Sequence, residues 1–327
     1  MKIAIVGCGA VGSFYGARLL RAGQEVHFLL RSDHAVVARD GVRILSIDGD
    51  FTARPSAANA PESIGVVDLV IIALKTTAND QFPRLLPPLV GPDTAVLTLQ
   101  NGLGSEAQLA AVVGAERVFG GLCFVCLNRI APGVIRHTAH GRIVMGEYLR
   151  HPTPRAERLA NAFREAGIRC DIADDLERAH WEKLVWNIPF NGLGVAGIVG
   201  WENLARGVVP PGRQRAECVP TDELLASTDG VDWARGLMEE VIAIARALGH
   251  AIPAEYVDEN INRTRCMGSY RASTLLDFEN GLPLEIDSLF REPRRQARAA
   301  GVPTPRLDTL CAVLEALDEQ RKPSSLG

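Results

Sequence analysis

The pattern of apolar and polar positions changes along the chain. In the first half, short apolar runs alternate with stretches of helical periodicity. Such runs predict strands, and they lie at residues 2–6, 25–30, 67–74 and 95–99. Helices are predicted after the first run, up to Ala22, and again from Ser105. The alternation predicts an α/β domain with a doubly wound, mainly parallel sheet.

Shorter runs continue this pattern to residue 172. We predict brief strands at 117–119, 123–125, 134–136 and 143–145, then a helix over 154–166 and a last strand over 169–172. After Asp174 the periodicity is helical, with predicted helices at 176–201, 233–248, 254–267, 273–279, 285–300 and 306–319. The segment 205–230 is rich in Pro, Gly and charge and predicts a long surface loop or insertion. The expected organisation is an α/β domain over 1–172 followed by an all-α domain over 173–327.

Residues 184–201 form a stretch of 18 residues without a charge, which raises the question of a membrane span. The stretch contains Asn187, Asn191, Pro189 and four glycines. Because polar groups are costly in lipid, this composition favours a buried helix whose polar groups have a function.

Composition and charge exclude several classes of protein. The 327 residues are 47% apolar and 23% charged, as is typical of globular proteins. With 35 basic and 39 acidic residues, no positive field for nucleic acid or anionic membranes is expected. Seven scattered cysteines form no disulfide framework, and the apolar start is short and broken by glycine. We therefore expect no secretory signal and a cytoplasmic location.

A glycine motif carries the first functional prediction. Gly7-x-Gly9-x-x-Gly12 follows a predicted strand and opens a predicted helix, which is the context of a dinucleotide-binding (Rossmann) loop. The glycines allow a tight turn and a close approach of the backbone to a pyrophosphate, and the helix N-terminus supplies N–H groups to the phosphates.

The residues after the second strand indicate which nicotinamide cofactor binds. NAD enzymes usually carry an acid there, which binds the ribose hydroxyl. Here Arg31 and Ser32 come first, and no acid occurs before Asp33. A guanidinium suits a 2′-phosphate, so we predict NADP (NADPH). The absence of an acid directly after the second strand also argues against S-adenosylmethionine as the ligand. An arginine lying at a strand end without a ligand is the alternative interpretation.

Two internal lysines are conspicuous in a chain that has only four, at positions 2, 75, 183 and 322. Lys75 follows one predicted strand and Asn101 follows the next. Ligands bind at the carboxyl ends of strands in such sheets, so both side chains are expected near the cofactor. Asn101-Gly102 is also a common turn sequence, which leaves a purely structural role open.

The second lysine lies in an apolar helical segment. Lys183, Asn187 and Asn191 step by four residues and share one helix face. A substrate with a carboxylate and a ketone would give these groups partners. A lysine can change its protonation state near neutral pH, whereas an arginine cannot. We therefore predict proton transfer by Lys183, with an ordinary surface lysine as the alternative.

Other candidates are weaker. Cys123 and Cys126 have the spacing of a zinc or redox pair, but no second pair of ligands is evident. We predict no metal and expect buried thiols in a strand. Ser273, Glu285 and nearby acids are, by themselves, equally well explained as helix caps.

Together these segments resemble the ketopantoate reductase (2-dehydropantoate 2-reductase) family. The matching segments are GCGAVG at 7–12, Arg31, LK at 74–75, QNGLG at 100–104, WEKLVWNIPFN at 181–191 and ASTLLD…LEID at 272–287. The family reduces ketopantoate to pantoate with NADPH, on the route to pantothenate and coenzyme A. Its fold is a Rossmann domain followed by an all-helical domain.

The resemblance implies roles for individual residues. It places the proton donor on Lys183 and an active-site glutamate on Glu285. Substrate contacts fall on Asn101, Lys183, Asn187, Asn191 and Ser273. Cofactor contacts fall on Gly7, Cys8, Gly9, Ala10, Val11, Gly12, Arg31, Lys75, Asn101 and Val125. A small 2-oxo acid is the expected partner; a homodimer is left open, and neither nucleic acid nor membrane is expected.

Departures from the family pattern concern the helical half, where the segment 205–230 is longer than usual in the family and three motifs differ. Gly192 stands where Pro is common, Thr274 where Met is frequent, and Phe290-Arg291 where Asn-Gly is frequent. They leave the substrate open between ketopantoate and another 2-oxo acid or related carbonyl. A non-catalytic NADP-sensing protein is the alternative from another class.

Overall fold

The computed structural model describes residues 1–211 and 217–321. The chain divides into two compact units, Met1–Ala179 and His180–Gly327. The strands are β1 (Lys2–Val6), β2 (Glu25–Leu29), β3 (Val42–Ser46), β4 (Phe51–Ala53), β5 (Ser56–Ala58), β6 (Leu69–Ile72), β7 (Ala95–Thr98), β8 (Val118–Ala131), β9 (Val134–Glu147) and β10 (Cys170–Ile172). The division falls after the last strand, within the helix that follows it.

Helices accompany the sheet in the first unit and make up the regular structure described in the second. They are α1 (Ala10–Arg21), α2 (His34–Asp40), α3 (Phe82–Leu85), α4 (Ser105–Val113), α5 (Pro154–Glu165), α6 (Leu176–Ala196), α7 (Trp201–Ala205), α8 (Thr221–Ala226), α9 (Thr228–Ala247), α10 (Tyr256–Arg265), α11 (Ser273–Glu279), α12 (Glu292–Ala299) and α13 (Pro305–Arg321). This confirms the predicted fold class, a Rossmann-type α/β unit and an all-α unit.

The sheet of the first unit has the order β4-β3-β9-β8-β7-β6-β1-β2-β5, with β10 beside β9. From β8 through β7, β6, β1 and β2 to β5, each strand is parallel to its neighbour. The carboxyl ends of these strands therefore lie along one edge. The glycine loop after β1, Arg31 after β2, Lys75 after β6 and Asn101 after β7 all follow strands at this edge.

Two sequence predictions for this sheet were wrong. The four brief strands predicted between 117 and 145 are two strands of 14 residues each, β8 and β9, which form an antiparallel hairpin. Register shifts, one of them between Phe124 and Val125, interrupt the alternation of the side chains and divide the pattern into short pieces. The short strands β3, β4 and β5 were not predicted.

In the second unit, other elements pack closely against the last turns of α6. A side chain at Gly192 would come within 2.6 Å of Leu310, and one at Gly194 within 2.5 Å of Leu275. Glycine at these positions lets α13 and α11 approach the helix backbone. None of the described helices combines the length and the apolar character that crossing a bilayer requires.

The segment 205–230 is only partly a loop, so this prediction was wrong at its carboxyl end. Residues 212–216 lie outside the described part of the chain, while α8 and the start of α9 fall inside the predicted loop. Before α8, the backbone N–H of Val219 donates to Gly194 O (2.8 Å) and that of Cys218 to Glu279 Oε1 (2.9 Å). These bonds hold the buried stretch before α8 against α6 and α11.

Candidate active site

The glycine loop of the first unit needs two of its glycines for close packing. Gly7 has a φ of +102°, and a Cβ there would lie 2.3 Å from Leu74 N. A Cβ on Gly12 would lie 2.3 Å from Gly7 O. Any side chain at either position would clash with backbone, so the loop can close tightly only with glycine.

Gly9 differs, because apart from its two chain neighbours no described residue places an atom within 4 Å of where its Cβ would be. Packing therefore does not explain this glycine. It is the N-cap of α1, whose first turn contains no acidic residue. Open space in front of the free N–H groups of a helix N-terminus suits an anion. The loop therefore fits the pyrophosphate of a dinucleotide.

Cys8, Ala10 and Val11 complete the loop and are half-buried against the core of the first unit. The Cys8 thiol donates to Leu29 O at 3.5 Å. Burial, aided by the nearby Asp33 carboxylate, raises the pKa of Cys8 well above its ordinary value. The side chain therefore remains a thiol and acts as a packing group.

The acid that follows β2 is engaged within the protein. Asp33 is buried and accepts hydrogen bonds from Arg129 Nε (3.0 Å) and Gly133 N (3.1 Å). Burial opposes ionisation, but the bonds from Arg129 and Gly133 outweigh it and hold the pKa of Asp33 below its ordinary value. Arg31, two residues earlier, is exposed at the strand end.

Lys75 and Asn101 lie in the segments that follow β6 and β7. Lys75 is exposed, has extended backbone and precedes a 3-10 turn, Thr76–Gln81. Asn101 is half-buried. Sequence reasoning missed Gln100, which links the two segments: it directly follows β7 and Leu99, and its Nε2 donates to Leu74 O, after β6, at 3.0 Å. The amide beside Asn101 was the available signal, but the two groups to which its Nε2 donates lie more than 20 residues away in the sequence.

Val125 lies in β8 opposite His140 and packs, half-buried, on the core of the first unit. Cys123 and Cys126 occupy the same strand, as predicted, but they are half-buried rather than buried. Among the described residues, no group of three or more His, Cys, Asp or Glu side chains could hold a metal ion.

In the second unit, the predicted face of α6 holds Lys183, Asn187 and Asn191. Lys183 is half-buried, whereas Asn187 and Asn191 are 6% and 4% exposed. The helix continues through Pro189. All three residues therefore lie on one continuous helix at intervals of four, as the sequence pattern predicts.

Asn191 connects α6 to the N-terminus of α11. Its Oδ1 accepts hydrogen bonds from Thr274 Oγ1 (2.9 Å), Thr274 N (3.2 Å) and Ser273 Oγ (3.4 Å). Its Nδ2 donates to Asn187 O at 3.1 Å. Asn191 thus caps α11 from a neighbouring helix and brings Ser273 close to the predicted face. Thr274, one of the departures, supplies the shortest of these bonds.

Glu285 is buried just before a π-helical turn, Asp287–Arg291. The ring of Phe290, in that turn, lies 2.9 Å from the place where a Cβ on Gly192 would be. The departures at 192 and 290 are therefore neighbours, and a larger side chain at 192 would require both Phe290 and Leu310 to move or to be smaller.

Comparison with known proteins agrees with this geometry. A family model described as "Ketopantoate reductase PanE/ApbA" matches residues 3–150, and one described as "Ketopantoate reductase PanE/ApbA C terminal" matches residues 216–318. This chain belongs to the ketopantoate reductase family. As a member of that family it is an NAD(P)-dependent oxidoreductase, and the resemblance seen in the sequence is confirmed.

Individual ketopantoate reductases match over nearly their full length. The chain is 38% identical to the 2-dehydropantoate 2-reductase of Nostoc sp., with 99% of this chain and 98% of the relative covered. The solved 2-dehydropantoate 2-reductase of Geobacter metallireducens GS-15 is 45% identical, with a TM-score of 0.88 and coverage of 97% and 99%. A D-mandelate dehydrogenase solved with NADH and anilino(oxo)acetate shares the fold, with 22% identity, a TM-score of 0.84 and coverage of 98% and 99%.

Proposed function

We propose that this protein reduces 2-dehydropantoate (ketopantoate) to pantoate with NADPH, a step in the synthesis of pantothenate and coenzyme A. The observation that carries the proposal is the match to 2-dehydropantoate 2-reductases over nearly the whole chain. That match spans both the glycine loop and the segment around Lys183.

The choice of NADPH over NADH is supported by the end of β2. A carboxylate that could bind the ribose hydroxyls is present at Asp33, but it is already bonded to Arg129 and Gly133. Arg31 is exposed at the same strand end and can grip a 2′-phosphate with two hydrogen bonds. The first unit thus offers a cation, and no unengaged carboxylate, after the strand.

When bound, NADPH supplies the hydride that reduces the keto carbon. Lys183 polarises the keto oxygen and donates the proton that converts the developing alkoxide to a hydroxyl, because an ammonium can release a proton near neutral pH. Glu285 helps to position Lys183 or the substrate hydroxyl. Asn101, Asn187 and Ser273 orient the substrate. Asn191 contributes through Ser273, which it holds in place.

Steady-state oxidation of NADPH with ketopantoate, pyruvate and 2-oxoisovalerate tests the proposal. We expect the highest kcat/KM with ketopantoate. A higher value with another 2-oxo acid would favour the second candidate, a reductase of that acid, which the departures at positions 192, 274 and 290 suggest. NADPH binding without turnover of any carbonyl would instead indicate an NADP sensor.

We further propose that the protein acts in the cytoplasm, because its scattered cysteines suit a reducing compartment. Cell fractionation tests this location. A homodimer stays a prediction that sedimentation of the purified protein would check.

A further inference from the structure

Four polar side chains form a buried network beneath the loops that follow β6 and β7. They are Thr98, Gln100, Asn79 and Ser105, and each is at most 8% exposed. Gln100 Nε2 donates to Asn79 Oδ1 (2.7 Å) and to Leu74 O (3.0 Å). Gln100 Oε1 accepts from Thr98 Oγ1 (3.0 Å), and Asn79 Nδ2 donates to Ser105 Oγ (3.4 Å).

The Gln100 amide has a partner at every polar atom. Both N–H groups donate to oxygen atoms, and the carbonyl oxygen accepts a hydroxyl. A buried network of this kind is rigid when complete, and it exposes several unsatisfied groups to an apolar environment when one member is removed. An apolar residue at position 100 would remove the donor that Leu74 O and Asn79 Oδ1 share and the acceptor of the Thr98 O–H. Thr98 Oγ1 would still accept from the backbone N–H of residue 100.

The network lies directly beside two predicted ligand contacts. The Leu74 carbonyl that Gln100 binds belongs to the peptide group that leads into Lys75. Gln100 itself precedes Asn101, and Asn79 belongs to the 3-10 turn that follows Lys75. The side chain of Gln100 therefore ties the residue just before Asn101 to the backbone just before Lys75.

We propose that Gln100 is a positioning residue, which orders the segments carrying Lys75 and Asn101 for cofactor and substrate. This inference rests on the proposed function, since it takes Lys75 and Asn101 as ligand contacts. Gln100 makes no contact with the reactants in this scheme. Its effect is transmitted through Leu74 and Asn79 and appears in binding more than in the chemical step.

The test replaces Gln100 by leucine, which has a similar volume and no hydrogen-bonding group. We expect Gln100→Leu to raise the Kd for NADPH and the KM for ketopantoate about tenfold, with a smaller change in kcat at saturation. Asn79→Leu should act in the same direction. In the double variant, the rise in Kd and KM should be clearly smaller than the product of the two single-variant rises, because each substitution disrupts the same network.

Thr94→Val is the matched control. Thr94 Oγ1 donates to Val67 O (2.6 Å) and is buried in the same sheet, just before β7 and therefore at the opposite end of the strands. It should lower the Tm while leaving the Kd and KM unchanged. Hydrogen exchange should accelerate at residues 73–81 and 99–105 in Gln100→Leu and remain slow there in Thr94→Val.

The outcomes separate the two proposals. If Gln100→Leu lowers only the Tm, with binding and local exchange unchanged, the positioning role is overturned. If the wild-type protein neither binds NADPH nor reduces ketopantoate, the proposed function fails. Exchange at the two segments then still decides whether Gln100 orders them, because that measurement needs no ligand.

Discussion

Asn191 offers a prediction whose size can be worked out from its contacts. Its Oδ1 accepts three hydrogen bonds from the first two residues of α11, and its side chain is nearly inaccessible. Asn191→Ala removes the acceptor from a helix N-terminus, which typically costs about 1 kcal/mol. It also removes the buried bond with the Thr274 hydroxyl, at about another 1 kcal/mol. A cavity adds to this, so we expect a loss of about 2–3 kcal/mol.

Urea unfolding, followed by circular dichroism, measures this loss. Asn191→Asp keeps an acceptor for the α11 N–H group, but it also buries a charge and turns an oxygen toward Asn187 O. This variant should therefore also be destabilised, and less so at a pH where the new carboxyl is protonated. Asn203→Ala is the control. It removes a single side-chain bond to a carbonyl four residues earlier, Val199 O at 2.8 Å, and no helix cap.

The comparison between these variants decides whether the capping argument holds. If Asn191→Ala is no more destabilising than Asn203→Ala, Asn191 does not hold α11. If it does hold α11, the same variant displaces Ser273. The KM for ketopantoate should then rise more than the Kd for NADPH, because the glycine loop belongs to the other unit.

Three further predictions concern the proposed chemistry and the end of β2. Arg31→Asp should weaken NADPH about 10- to 100-fold and leave NADH unchanged or improved; equal effects would refute a 2′-phosphate contact. Lys183→Ala should lower kcat about 10²–10⁴-fold. It should also abolish the fall in kcat at high pH, whereas Lys75→Ala should retain that fall. Lys183→Arg should restore little of the lost kcat. Because the pKa of Asp33 is lowered in the folded protein, its ionised form stabilises the fold above about pH 4, and this stabilisation is lost as the pH falls through the folded-state pKa. In urea unfolding between pH 7 and 3, Asp33→Asn should therefore lose less free energy of unfolding than the wild type.

The sequence was most informative where a constraint is local. The glycine spacing at 7–12 predicted the loop, because neighbouring residues determine both the geometry of the turn and the start of the helix. The reason for Gly7 is not local, since the atom that excludes a side chain belongs to Leu74, in the segment after another strand. Likewise, helical periodicity predicted the face of Lys183 and Asn187 but not the capping of α11 by Asn191.

Long-range partners account for what the sequence could not reveal. Asp33 is visible as an acid near the end of β2, yet its partner Arg129 lies 96 residues away, in a strand that the pattern divided into pieces. That hairpin was missed because its bulges break the two-residue period on which strand prediction depends. Gln100 was overlooked because its main partners are distant in the sequence, and the residue type alone does not indicate which groups its amide will bind.

The departures from the family pattern acquire a physical meaning once their contacts are known. Gly192 leaves the space that the ring of Phe290 approaches, and Thr274 adds a hydroxyl bond to Asn191. The changes at 192, 274 and 290 are therefore explained by packing or hydrogen bonding inside the second unit, without any requirement for a different substrate. If the departures served a new substrate, replacing Thr274 by Met would alter the ranking of 2-oxo acids. If they serve packing, it would change stability and leave ketopantoate first, which is the result we expect.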